Sequence, residues 1–111
     1  MIDQNRITNL RQEVGEDSFE EIIELFLVEM DEAIDELQSD PDYAKLEARL
    51  HYLKGSALNL GLTDLASLCH TGERAAANAK YLEVDVPEIV ATYQRTRIAM
   101  VAYLEQVVPS A

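Results

Sequence analysis

The stretch His51-Tyr52-Leu53-Lys54-Gly55-Ser56-Ala57-Leu58-Asn59-Leu60-Gly61 decides how this 111-residue chain reads. At about 100° per residue, Leu46, Leu50, Leu53, Ala57 and Leu60 fall on one side of a helix, a core stripe. His51 points roughly 150° away from the centre of that stripe. Ala44, Glu47, Lys54, Gly55 and Leu58 surround it on the outward side. Gly55 is the informative oddity, because inside a helix glycine costs about 1 kcal/mol relative to alanine. On an outward face it helps no packing, but it lets something large approach the imidazole closely. Leu58, one turn on, is an exposed apolar residue suited to the rim of a docking surface.

The residue types indicate the chemistry. Imidazole, with an ordinary pKa of about 6.5, is a nucleophile at neutral pH. Lys54, one turn from His51, can neutralise oxyanions as a point charge and disfavours the imidazolium. Its nearest same-chain carboxylate on this face, Glu47, is seven residues away, too far for a helix-surface pair. The competing reading, a solvated surface histidine, leaves Gly55 unexplained.

Helical signals recur on both sides. Asp3 to Val14 carries Ile7, Leu10 and Val14 at 3 and 4 spacing and stops at Gly15. Asp17 followed by Glu20 reads as a capping box for a second helix with Phe19, Ile22, Ile23, Phe26, Met30, Ala33, Ile34 and Leu37 at core spacing. Leu25, Leu27 and Val28 widen its apolar face. Asp40 and Pro41 read as the cap and first residue of the third helix, and Gly61 as its stop. Thr63 is expected to cap the fourth, where Leu65, Leu68, Cys69, Gly72, Ala75, Ala76 and Ala79 suggest close helix approach. Asp85 and Glu88 make a capping box for the fifth, with Pro87 in its first turn. That helix carries Ile89, Val90, Tyr93, Met100, Leu104, Val107 and Val108 and ends before Pro109. The expected fold is all-α: an up-down-up-down antiparallel four-helix bundle with a short additional N-terminal helix, one domain over 1–111.

Acidic residues outnumber basic ones 21 to 9, which argues against nucleic acid or an anionic membrane as partner. A lone Cys69 forms no internal disulfide, and no Cys/His cluster has zinc spacing. The first residues lack a basic and then apolar run, so no signal peptide or membrane span is expected, and the location expected is cytoplasmic. No Gly-rich nucleotide loop is present.

His51, Leu53, Lys54, Gly55, Ser56, Ala57 and Gly61 together resemble the signature of the histidine-containing phosphotransfer (HPt) domain family. Leu65, Leu68, Cys69 and Glu73 resemble that family's next helix, and Leu10, Gly15 and the Phe19 to Leu37 helix its opening pattern. The resemblance implies a phosphorelay carrier that takes a phosphoryl group from a receiver-domain aspartyl phosphate and passes it to another receiver. It implies His51 as the phosphorylated residue, Lys54 as the phosphate-stabilising one, and Gly55 with Leu58 as access and docking. Glu73 would hydrogen-bond and orient the imidazole. Response-regulator receivers, free or fused to hybrid histidine kinases, would be the partners, with Leu25, Val28 and Leu58 among the surface that selects them. No cofactor is expected on this chain; Mg²⁺ would come with the receiver, and there would be no ATP site or autokinase activity.

Two other readings compete. One is the phosphorylatable dimerisation bundle of a histidine kinase, which predicts a dimer where four helices in one chain predict a monomer. The other is a helical interaction module in which His51 is incidental. Metal binding by His70 is weaker, since it stands alone on another helix.

Overall fold

A computed structural model describes residues 2–107. Five helices follow in order: α1 (Gln4–Val14), α2 (Glu16–Ser39), α3 (Leu46–Leu60), α4 (Thr63–Ala77) and α5 (Val86–Val107), with short 3-10 turns at Tyr43–Lys45 and Tyr81–Glu83. α2 to α5 run up-down-up-down, each packing on the next, and α5 closes the ring on α2. α1 packs on α2 and α3. Among the described residues there is no strand; one isolated bridge pairs Ile2 with Leu62. Val108 and Pro109, and the side chain of Val107, lie outside the described residues.

The helix starts differ from expectation in three places. α2 begins at Glu16, with Gly15 as its cap at φ 83. The Gly15 carbonyl already accepts from the Ser18 and Phe19 amides, so Asp17 lies within the first turn and has no capping role. There it and Glu16 face the positive end of the helix dipole. Asp40 and Pro41 do not open α3; Asp42 caps the 3-10 turn through a 3.0 Å bond from the Ala44 amide. The Asp40 carboxylate accepts instead from the Asp42 amide and from Arg49 at 2.8 Å. Leu62, not Thr63, stands at the cap of α4, because the tight turn from Gly61 buries Leu62 and ties its amide to the Ala57 carbonyl at 2.8 Å. At the other end α4 stops at Ala77, and Ala79, exposed at φ 59, belongs to the turn. At α5 the Asp85 half of the capping box forms, at 3.1 Å to the Glu88 amide. The Glu88 carboxylate turns to Thr92 and Arg95.

All five residues of the α3 stripe are buried, together with Ile7, Leu10, Phe19, Ile23, Leu27, Met30, Leu65, Ile89 and Met100 in one cluster. Leu25 and Val28 are exposed, whereas Leu27 is buried. Asp31 joins α2 to α5 by accepting from Arg97 Nε and Nη2, each at 3.0 Å, and from the Tyr93 hydroxyl.

The closest pairing is α3 against α4, and Gly72 shows why. It is buried, and a Cβ there would stand 3.1 Å from Leu50 and 3.3 Å from Val84. A side chain there would have to push back the Leu50 and Val84 methyl groups. Gly72→Val is therefore expected to destabilise the fold by roughly 1–3 kcal/mol through overpacking, read as a lower urea midpoint at unchanged slope; an unchanged midpoint would contradict the close approach.

Candidate functional site

Ten residues separate Gly61 from His51 on α3, and ten separate Thr63 from Glu73 on α4. Each stretch rises about 15 Å, so the antiparallel return places Glu73 level with His51. The geometry follows: His51 Nδ1 lies 2.9 Å from Glu73 Oε2, and Lys54 Nζ lies 2.7 Å from Glu73 Oε1. One carboxylate thus holds His51 and Lys54 together. The His51 side chain is 70% exposed, whereas Lys54 and Glu73 are 21% and 18% exposed. The imidazole stands out from a base that is largely covered.

The charges set the tautomer. Lys54, and after it His51, holds the Glu73 carboxyl below the usual glutamate range, against the opposing effect of partial burial. An ionised carboxylate only accepts hydrogen bonds, so a neutral His51 must carry its proton on Nδ1. Its lone pair is then on Nε2, on the side of the ring away from α4. Lys54 is not the lone charge that sequence spacing suggested. It is paired across the seam, and the charge touching the imidazole is the Glu73 carboxylate. The pairing was legible only as a residue type on the next helix, since its partner is 19 positions away.

Gly55 is exposed, and a Cβ there would meet nothing within 4 Å. No internal packing requires the glycine. Leu58 is 56% exposed on the same outward side. A groove of about 400 Å³ between α3 and α4 is bordered by Lys54, Leu58 and the exposed His70. Behind the site Cys69 is fully buried, and burial, with Glu73 adding, pushes its thiol up to about 12. It is a packing residue held as the neutral thiol. Among the described residues no three His, Cys, Asp or Glu side chains are placed to share a metal ion. No helix among them is long and apolar enough to cross a membrane.

The sequence matches the Hpt domain family over residues 21–108, most of the chain. The chain belongs to the Hpt domain family. Hpt domains are the histidine phosphotransfer modules of phosphorelays, and they work with receiver domains. The match takes in α3 and α4 whole and leaves α1 outside. Comparisons with curated proteins and with solved structures find no match.

The lowered Glu73 carboxyl gives this Hpt domain a defined pH response. Its contribution to stability is complete above the unfolded glutamate value, about 4.3, and is lost as pH falls through the lower folded value. A carbon-13 titration should give Glu73 a midpoint below the ordinary glutamate value. Nitrogen-15 spectra at pH 8 should show His51 as the Nδ1–H tautomer, with that preference lost in Glu73→Ala. An Nε2–H tautomer in the wild type would contradict the arrangement.

Proposed function

We propose that this Hpt domain carries a phosphoryl group between receiver domains on Nε2 of His51. The observation that carries the reading is the Glu73 bond to Nδ1, which leaves the Nε2 lone pair outward on a 70% exposed ring. That lone pair attacks the phosphorus of a receiver's aspartyl phosphate. The N–P bond forms as the P–O bond to the aspartyl carboxylate breaks, and the carboxylate leaves with the electron pair. The imidazole gains positive charge as it does so, and its Nδ1–H bond to the Glu73 carboxylate strengthens. Attack by an aspartate of a second receiver on the phosphohistidine reverses these changes.

Lys54 serves the phosphoryl oxygens. Its ion pair with Glu73 holds the ammonium beside His51 without a search through side-chain conformations. Gly55 leaves the outward surface open, and Leu58 on α3 with Leu25 on α2 offers exposed apolar area to the receiver. The Mg²⁺ that phosphoryl transfer uses is placed with the receiver. The chain acts as a carrier without an ATP site, as a monomer, and its setting is cytoplasmic. The role is that of a relay between receivers, either free or fused to hybrid kinases.

Mixing the protein with a phosphorylated receiver and Mg²⁺ should give an acid-labile, base-stable adduct that is absent in His51→Gln. Equal labelling of that variant would overturn the assignment. Lys54→Ala should slow transfer about 10- to 100-fold, the worth of a charge-assisted contact of roughly 1.5–3 kcal/mol.

Gly55 should separate stability from activity. A Cβ at position 55 meets nothing within 4 Å, and Gly55→Leu removes glycine's helix cost, so the fold should gain up to about 1 kcal/mol. Receiver transfer should fall, by about 10²-fold if the reacting atoms are held 1 Å too far apart. Unchanged transfer in a stabilised Gly55→Leu would show that close approach is not the role of this position.

A further inference from the structure

On the other flank of His51, a groove of about 680 Å³ runs between α2 and α3. Ala33, Ala44 and Ala48 line it with small side chains that leave space for a protruding residue. Glu29 and Glu32 stand on its α2 wall and Tyr52 on its α3 wall. Ala48 and Tyr52 lie three residues before and one after His51, so the groove begins beside the phosphoacceptor.

Its charges are unbalanced. The cations on the α3 side are already engaged: Arg49 bonds Asp40 at 2.8 Å and approaches Glu36 at 3.8 Å, and Lys45 lies 3.8 Å from Asp40. Glu29 accepts from the Tyr52 hydroxyl at 3.3 Å and has no ion-pair partner among the described residues. Glu32 is exposed and has no ion-pair partner among the described residues. α2 itself contains no lysine or arginine. Negative charge therefore remains uncompensated along an alanine-lined groove.

The occupant follows from continuity with the docking face. A standard interface covers about 800 Å² on each partner, a disc of roughly 16 Å radius. Ala48, on the α3 side of the groove, is only about 4.5 Å from His51 along the axis. A receiver centred on His51 at that size covers the groove. We infer that the groove seats a basic side chain, Lys or Arg, on the flank of the docked receiver, which reaches Glu29 and Glu32 and selects receivers that carry one. This deepens the phosphotransfer reading and rests on it. Charge in this position speeds encounter and rejects acidic faces more than it adds affinity.

The test uses the full chain phosphorylated with phosphoramidate, a small donor that needs no docking. Transfer is then followed to a panel of purified receiver domains, sorted by the charge of the surface flanking their acceptor aspartate. Basic-flanked receivers should accept at least about tenfold faster than acidic-flanked ones at about 0.03 M salt, and the gap should close at about 0.3 M. Glu32→Lys should narrow or invert that preference. Glu105→Lys, with the same charge change on exposed α5 surface, should leave it unchanged. Equal effects of the two variants, or equal rates across the panel, would overturn the groove's role while leaving the carrier reading intact. Failure of phosphoramidate to label His51 would instead overturn the carrier reading, and the groove proposal with it.

Discussion

The contact between α3 and α4 is the constraint on which the site depends. At Gly72 the side chains of Leu50 on α3 and of Val84 crowd the position where a Cβ would stand. Gly61, at φ 72, turns the chain in the left-handed conformation, and its amide closes on Ala57 and Leu58. The Gly61 carbonyl accepts from the Asp3 amide at 2.7 Å, and Arg6 reaches the Asn59 carbonyl at 2.8 Å. The N-terminal segment thus braces the turn that sets the α3/α4 register. A shift of one residue would rotate Glu73 by about 100° and take it from His51 and Lys54 together.

The site separates exposure from order. A reactive side chain on a helix surface needs access, yet an exposed imidazole samples several rotamers. Glu73 resolves the conflict from below, where it is only 18% exposed and its charge is neutralised by Lys54. The ion pair sits in partial cover, where it is screened less than a surface pair, and its second oxygen remains for the imidazole. Imidazole, carboxylate and ammonium thus come from two helices already held together by apolar packing. The chemistry adds no separate scaffold.

Much of this was readable before any coordinates. The 3–4 spacing of Leu46, Leu50, Leu53, Ala57 and Leu60 placed His51 outward, because a helix maps sequence spacing directly onto angle. Gly15 and Gly61 marked helix ends for the same local reason. Caps were read less well: Asp17, Asp40 and Thr63 are good capping types, but the turn geometry at Gly15, Asp42 and Leu62 chose the boundaries. A cap residue competes with neighbours one or two positions away, and the surrounding packing decides between them.

What the sequence by itself determined is the set of helices, the inward faces and the outward position of His51 beside Gly55. Each rests on periodicity or on the conformational range of one residue, and both are local. Only the tertiary structure decided that Lys54 is paired, that Glu73 joins it to His51, and which ring nitrogen is left free. It also decided that Leu25 and Val28 face outward and that an alanine-lined acidic groove flanks the site. These depend on the register and rotation of one helix against another, which arise from packing summed over many residues and are written at no single position.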